Sequence, residues 1–470
     1  MEKNKRVLFF YPNSEGYGGI PNNIALLSAC LKEAGFETRC FDTTFLNSPP
    51  KSHFNRQKHG GAMKADHKKA WGEWDPELPR KIPDLFINTI KEFDPALIAV
   101  TIAEVNYTHA VSLLSQIKKI SNIPVVAGGI TTTMCPELVI GNGCIDIACI
   151  GEGEDALVEL AGRIADGKDY GNVRNLWVKK EGEIIKNPLR PFREMDSLPF
   201  QDWSIFDERH VYKAYCSVFR RTGFFELARG CRYNCSFCAT ANLRKIYQGL
   251  GKYVRTRSID KAFDEIVCMK EKYNLELIFF IDDNFLGMPA ERFDYFCEQY
   301  KKRIGLPFYL QTRSETVRED YIKKLKEINV STIAIGVEHG DEGLRKEYLN
   351  RHMNNDNLQR AFDIVHKYDI RTTANVIMGL PGEKEEMLKQ TLELLRKLKP
   401  WSVSVNYFQP FRGTLLRDKA VESGYIPADY IICDSNTCLD MPEFKRDRII
   451  HYYENFRKYL EGKLKIGDAQ

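Results

Sequence analysis

GFFELARGCRYNCSFCAT, residues 223–240, joins an apolar run to three cysteines, Cys231, Cys235 and Cys238, set within eight residues. The spacing is C-x3-C-x2-C. With 13 cysteines in 470 residues, a chance match is expected ~0.01 times, so the three thiols are read as a unit. They can serve as a disulfide remnant, a zinc half-site, apolar filler on one helix face, or the seat of a metal cluster. A zinc site wants a fourth Cys or His at matching spacing, and the next candidate downstream is Cys268, inside a helical pattern. Positions i, i+4 and i+7 share a helix face, but Arg229-Gly230 leads into this stretch as a loop. Thiolates also hold iron–sulfur clusters, normally four per cubane, so three leave one iron open. Arg229 and Arg232 would offset the negative charge. The cluster is the favoured reading.

Composition narrows the setting. Apolar residues make up 43% and charged residues 28%, and the formal charge is +4, which gives no reason to expect a nucleic-acid partner. No segment approaches the ~18 continuous apolar residues of a membrane span. MEKNKRVLFFYP enters a strand directly, with an apolar stretch too short for a signal-peptide core. The expected location is the cytoplasm, where thiols stay reduced and a disulfide framework is not expected.

Downstream of the cysteines, strand-like and helical patterns alternate six times. The strands are GFFELAR (223–229), LELIFFID (275–282), PFYLQTR (307–313), STIAIGVE (331–338), RTTANVIMGL (371–380) and WSVSVNYFQP (401–410). Six β/α units make a barrel or a partial (β/α)6 barrel, over 223–418, with its chemistry at the carboxyl ends of the strands. Polar residues collect there: the cysteines, then Asp282, Asp283 and Asn284, then Arg313 and Glu315, then Glu338 and His339, then GLPGE (379–383).

Residues 1–165 show a similar alternation. RVLFFYP (6–12), ETRCFD (37–42), ALIAVTIA (96–103), IPVVAGG (123–129) and IDIACIG (145–151) are near-continuous apolar runs, as in strands of a parallel sheet covered on both faces. This is a doubly wound, flavodoxin- or Rossmann-like α/β domain, which binds ligands at the carboxyl ends of its strands. A polar excursion, 46–82, carries His53, His59, His67, Trp71 and Trp74, and is either a functional loop or a surface one. Residues 166–222 read as a less regular linker. Residues 419–470 read as a helical segment closing the barrel, with Cys433 and Cys438.

The cysteine motif, with Phe237 directly before the third cysteine, resembles the signature of the radical S-adenosylmethionine (SAM) superfamily. The resemblance implies a [4Fe-4S] cluster on Cys231, Cys235 and Cys238, whose open iron is chelated by SAM. One electron then cleaves SAM to a 5′-deoxyadenosyl radical, which takes hydrogen from an unactivated carbon. An external reductant of flavodoxin or ferredoxin type is implied. So are SAM contacts: Phe237 against adenine, Asp282 and Asn284 toward the amino group, and Arg313 and Glu338 toward the carboxylate and ribose hydroxyls. The Asp282–Asn284 match is by position alone, since no Gly-Gly-Glu is present. A structural ion pair is the competing use of Arg313 and of Glu338. GLPGE matches the segment whose backbone meets adenine, and also reads as a Pro-Gly turn into a helix capped by Glu383.

A doubly wound domain ahead of such a barrel resembles the cobalamin-binding domain of one large subgroup. The residues that carry this are Gly128 and Gly129, Pro136-Glu137, and Gly151-Glu152-Gly153-Glu154. The implied cobalamin contacts are Asn13, Ser14, Thr101, Asn106, Gly128, Gly129, Thr131, Gly151 and Glu152, with Thr132, Glu15, Tyr17 and Tyr107 beside them. The competing use of the glycines is in tight turns. The Asp-x-His-x-x-Gly motif of mutase-type domains is absent, since the first strand runs into YPNSEGYGGIP (11–21), so any cobalamin is expected to lack a histidine lower ligand.

The combined resemblance implies a cobalamin-dependent radical SAM enzyme, a methylase of an unactivated carbon in a small molecule, with a second SAM remethylating cobalamin. The alternatives are cyclisation, rearrangement or C–C bond formation without methyl transfer, and, further off, a non-catalytic iron–sulfur carrier or sensor.

Overall fold

Two seven-stranded sheets organise the chain. The computed structural model describes residues 3–14, 18–47, 70–433 and 439–467. His53, His59, His67, Glu15, Tyr17 and Cys438 therefore lie outside the described residues. Two compact units emerge: 1–50, 68–210 and 242–253 make the first, and 211–241 with 254–470 the body of the second.

The first sheet comprises β1 (Arg6–Tyr11), β2 (Glu37–Asp42), β3 (Leu97–Thr101), β4 (Val125–Gly128), β5 (Ile147–Cys149), β6 (Leu176–Lys180) and β7 (Glu183–Lys186), in the order β2-β1-β3-β4-β5-β6-β7. β1 to β5 are parallel. The strands are apolar throughout because both faces are covered. Val7 and Phe9 join a core with Ile24, Leu31, Leu157 and Leu160 from the helices Asn22–Glu33 and Glu154–Ala165. Phe10 turns to the other face, its ring 4.6 Å from that of Phe86 on the helix Leu78–Phe93. The order reverses at β1, which has β2 on one side and β3 on the other, and that reversal opens a crevice at the carboxyl ends of the strands.

Part of the stretch read as an irregular linker is regular. β6 and β7 extend the first sheet as an antiparallel hairpin. The lysines and glutamates of LWVKK and EIIK hide the strand pattern because β7 is an edge strand, all four of whose residues are exposed.

The second sheet comprises β8 (Tyr212–Tyr215), β9 (Val218–Phe225), β12 (Leu277–Phe280), β13 (Phe308–Thr312), β14 (Val330–Glu338), β15 (Arg371–Met378) and β16 (Ser402–Tyr407). The short pair β10 (Ala228–Arg229) and β11 (Arg255–Thr256) stands beside it. The order β16-β15-β14-β13-β12-β9-β8 gives six parallel strands plus an antiparallel edge. The first barrel strand begins five residues earlier than its apolar run, because β8 pairs with VFRR through a tight turn at Cys216 and Ser217, both left-handed at φ 49° and 72°.

This sheet curls into a half-barrel. β8 and β14 are four strands apart, roughly 19 Å in a flat sheet. The Tyr215 hydroxyl on β8 nevertheless hydrogen-bonds Ser331 and Thr332 at the start of β14, at 2.7 and 2.5 Å. Helices cover the convex side, where Phe280 and Phe308 pack on Phe296 and Tyr300 of the helix Ala290–Arg303. Phe279 and Tyr309 point to the concave side, with ring centroids 4.3 Å apart. The helix Arg446–Leu460 packs outside this sheet, stacking Tyr453 on Tyr407 at 4.0 Å and accepting hydrogen bonds from Arg396 on the helix Met387–Leu398.

Gly129 carries φ +98°, and an added Cβ would lie 2.7 Å from the Ile102 carbonyl oxygen, whereas a Cβ on Gly128 meets nothing nearer than 4.0 Å. Gly129→Ala is therefore expected to destabilise the protein by about 2–3 kcal/mol, while Gly128→Ala stays within about 0.5 kcal/mol of wild type in urea unfolding of the metal-free protein.

Candidate functional site

The three cysteines leave β9 and β10 on a loop at the carboxyl end of the half-barrel. No helix carries them, and the nearest one, Ala239–Ile246, begins after Cys238. The loop is held from outside. Ser236 N–H donates to Leu349 O at 3.2 Å, Ser236 O accepts from Leu416 N–H at 3.0 Å, and Asn350 Nδ2 donates to Asn234 O at 2.8 Å. The Ser236 hydroxyl bonds Tyr348 O. Within the loop, Cys238 N–H closes a turn onto Cys235 O at 3.1 Å, with half-buried Phe237 inside it.

Burial pushes the Cys231 and Cys238 thiols up, and Asp283 and the neighbouring cysteines push in the same direction, so the three sulfurs lie within electrostatic reach of one another. Among the described residues, no three His, Cys, Asp or Glu side chains converge on the position of a single ion. A cubane makes no such demand, because each thiolate binds a different iron and the sulfurs stand further apart. The donor set fits a cluster.

Arg313, from the end of β13, brings a guanidinium directly against Cys235. Arg229 is paired with Glu226 at 2.8 Å and Arg232 reaches Gly287 O at 3.2 Å. Arg313 Nη1 lies 3.0 Å from Cys235 Sγ, Nη2 is 2.5 Å from Glu315 Oε1, and the Tyr233 ring lies 3.8 Å beneath. Its Nε is buried with no hydrogen-bond partner. That orphaned donor is what a carboxylate-bearing ligand would satisfy.

A cavity of about 740 Å³, counted to its open mouth, is lined by Gly230, Cys231, Arg232, Asp282, Asp283 and Asn284 among others, so the loop and the end of β12 share one space. Asp282 is buried and accepts from Leu227 N–H with both oxygens at 3.2 Å; desolvation raises it to about 7. Asn284 ties β12 to β13: its Oδ1 accepts from Thr312 Oγ1 at 3.0 Å, Thr316 Oγ1 at 3.1 Å and Arg313 N–H at 3.3 Å.

Glu338 ends β14 in the left-handed region at φ 65° and is buried. Arg351 Nη1 grips its carboxylate at 2.7 Å and Nη2 the Gly336 carbonyl at 2.9 Å. A Cβ on Gly336 would stand 2.4 Å from the Glu338 carboxylate, so a side chain there would displace that carboxylate. Desolvation pushes the Glu338 carboxyl up, with Arg351 pulling it back. The next residue, His339, accepts Asp341 N–H on Nδ1 at 3.0 Å, which leaves Nε2 to donate to Glu383 Oε1 at 3.2 Å. Glu383 does not cap a helix as expected. Its other oxygen takes the N–H groups of Gly379 and Leu380 at 2.7 and 2.9 Å, and the helix begins only at Met387. The carboxylate thus braces the GLPGE turn and, through His339, ties it to β14.

In the first unit the expected contacts gather at the carboxyl edge of β1, β3, β4 and β5. Asn13 is buried, donating to Thr44 Oγ1 at 3.1 Å, and Ser14 is exposed. Thr101 accepts from Asn23 Nδ2 at 2.8 Å. Asn106 accepts the Ala103 N–H at 3.0 Å at the start of the helix Glu104–Ile117. Thr131 is buried, and Thr132 and Thr133 donate back to Gly128 O and Gly129 O. Gly151 N–H donates to Thr133 Oγ1 at 3.0 Å, which joins the β4 and β5 loops. Glu152 lines a separate cavity with Asn175, Arg190 and Tyr247. Gly129 is explained by its contact with Ile102, while Gly128 leaves its side of the edge open. An edge with open backbone at Gly128 and hydroxyls at Thr101 fits a large ligand.

Sequence reading missed Arg351, Asn23 and Thr133, and also His210, which is fully buried and bonded to Asp42 and, at 3.3 Å, to Gly18 O. His109, on the helix after β3, has Nε2 buried without a hydrogen-bond partner, and burial lowers its basicity. Each of these pairings joins segments distant in the chain, so local pattern carried no signal for them.

Fold and site define a two-domain α/β enzyme whose half-barrel presents a three-cysteine loop at its mouth. Residues 225–395 match the radical SAM superfamily, and residues 75–161 match the B12 binding domain. An uncharacterized methyltransferase of Pyrococcus horikoshii is 25% identical over 340 residues, 72% of this chain and 72% of its own length. An anaerobic magnesium-protoporphyrin IX monomethyl ester cyclase of Rubrivivax gelatinosus is 25% identical over 411 residues, 84% of this chain and 66% of the cyclase. Among solved structures, the radical SAM methyltransferase TsrM of Kitasatospora setae, with cobalamin and a [4Fe-4S] cluster bound, superposes with a TM-score of 0.67 at 16% identity, over 92% of this chain and 79% of that one. The chain thus carries a radical SAM domain, which implies a [4Fe-4S] cluster and SAM, and ahead of it a B12-binding domain, which implies cobalamin.

Removing Arg351 leaves the Glu338 carboxylate buried without its partner. Arg351→Met is expected to cost about 3–5 kcal/mol in guanidinium unfolding at pH 8. Because burial raises the Glu338 carboxyl, it takes up a proton at a higher pH than an exposed glutamate, and the penalty is expected to shrink as the pH is lowered toward 5.

Proposed function

We propose that this enzyme transfers a methyl group to an unactivated carbon of a small molecule. The observation that carries the reading is the grouping of the cysteine loop, Arg313 and Glu338 at one mouth of the half-barrel, in a chain that also bears a B12-binding domain. When bound, the cluster and SAM supply hydrogen abstraction driven by one electron, and cobalamin supplies the methyl group.

This chain's residues bind and orient. Cys231, Cys235 and Cys238 hold the cluster, and Arg313 keeps a positive charge against Cys235. The free Nε of Arg313 takes the SAM carboxylate. Glu338, fixed by Arg351, accepts from ribose hydroxyls. Phe237 and the braced GLPGE backbone border the adenine, and Asp282 and Asn284 lie toward the amino group. In the first unit, Asn13, Ser14, Thr101, Asn106, Gly128, Gly129, Thr131, Gly151 and Glu152 border cobalamin. The electron comes from a flavodoxin- or ferredoxin-type donor, and the working compartment is the reducing cytoplasm. The similarity to a methyltransferase-named relative and to TsrM supports methyl transfer. The cyclase relative favours the second reading, ring formation without methyl transfer.

Anaerobic reconstitution with dithionite, SAM and methylcobalamin distinguishes the two. Methyl transfer is expected to yield 5′-deoxyadenosine together with S-adenosylhomocysteine, with cobalamin retained through gel filtration. 5′-Deoxyadenosine alone would favour cyclisation, and loss of cobalamin would sink the first domain's role. Cys235→Ala is expected to abolish both the cluster absorbance and 5′-deoxyadenosine; unchanged turnover would overturn the cluster assignment.

A further inference from the structure

The concave face of the half-barrel is built in two tiers that differ in chemistry. At the lower tier, the register aligns Phe224, Phe279 and Tyr309 across β9, β12 and β13. Tyr215 closes this floor from beneath, its ring 5.9 Å from that of Phe279. The Lys213 ammonium lies over the Phe279 and Phe224 rings at 5.0 and 5.4 Å. Above the floor, the concave positions turn into uncharged polar groups: Gln311 on β13, Asn375 on β15, and Ser404 and Asn406 on β16.

Two observations mark this tier as a reading surface. First, the convex positions of β15 and β16, such as Ala374, Val376, Val403 and Val405, are buried, while the alternate concave ones stay half-exposed. A filled barrel interior would bury both sets. Second, the amides of Gln311 and Asn375 make no hydrogen bond or ion pair among the described residues. By contrast Thr373 is bonded to Ser402 at 2.8 Å on the same face. Partly sheltered amides carry donors and an acceptor that a ligand or water must satisfy. Between them β14 contributes Ala334, which is fully buried, and Gly336, over which the Glu338 carboxylate and the Arg351 guanidinium are folded, so the two amides stand on either side of that ion pair, Gln311 level with Ala334 and Asn375 level with Gly336.

We propose that this chamber binds the substrate, and that the substrate carries an apolar ring for the aromatic floor and an uncharged, amide-like donor–acceptor edge for Gln311 and Asn375. The inference rests on the enzyme reading above and deepens it. An ionised carboxylate is disfavoured at the upper tier because the amides carry no charge and the Arg351 guanidinium between them is already paired with Glu338, while a neutral amide or lactam satisfies both donor and acceptor.

Ligand-observed saturation-transfer NMR on the reconstituted protein, with SAM present to fill the Arg313 end, tests this with benzamide, benzoate and hexanamide. Benzamide is expected to bind at least tenfold tighter than either of the others. Gln311→Leu and Asn375→Val, each removing an amide, are expected to weaken benzamide at least fivefold. Benzoate binding as tightly as benzamide, through Lys213 or otherwise, would overturn the proposal. So would benzamide affinity unchanged in both variants. The wild-type preference needs no variant, so a misfolded mutant leaves the test intact. 5′-Deoxyadenosine formation by the wild type reports separately on the radical chemistry: its absence alongside a clear benzamide preference retires the radical reading and leaves the chamber, and the reverse retires the chamber.

Discussion

Residues 230–238 have no helix or strand of their own, yet the chemistry requires three sulfurs to face one space. The loop is fixed by hydrogen bonds to Tyr348, Leu349 and Asn350 on one side, to Leu416 on another, and by Arg313 against Cys235. These anchors come from the end of β13, the segment that follows the helix Glu342–Glu347, and the segment after β16. The cysteine loop therefore takes its shape only when the half-barrel has closed far enough to bring those segments together. Tyr215, bonding from one edge of the sheet to the start of β14, is part of that closure.

Charge at the mouth follows the same dependence. Arg313, Glu338 and Arg351 are each at least nine-tenths buried, where an unpaired charge costs several kcal/mol. They persist because each finds an opposite charge: Glu315 for Arg313, and Arg351 for Glu338. The Glu338 backbone is held left-handed, and Gly336 is kept free of a Cβ, to let that pair form. Among the groups left without a hydrogen-bond partner, the Nε of Arg313 lies at the mouth and the amides of Gln311 and Asn375 lie on the concave face.

Much of this was legible beforehand. Parallel strands covered on both faces declare themselves as apolar runs, so the strands of both sheets from β1 to β5 and β12 to β16 fell within one to three residues of their expected limits. The cysteine spacing stood out because it is a local pattern. β7 was missed because an exposed edge strand need not be apolar, and β6 and β8 because they are short and interrupted by lysine. The Glu383 cap was misplaced because the glutamate is used across the fold, by His339, and within its own turn. Arg351 gave no signal, since it lies 13 residues beyond its partner in an irregular segment.

The sequence by itself determined which thiols can share a cluster, the two α/β alternations and the places where polar residues follow strands. These are set by spacing and by period, which neighbouring residues alone impose. Only the tertiary structure decided that Arg313 stands at Cys235, that Glu338 is held by Arg351, and that Gln311 and Asn375 flank β14 on one face of the sheet. Those relations depend on sheet order and curvature, which bring together residues far apart in the chain. No local preference records them.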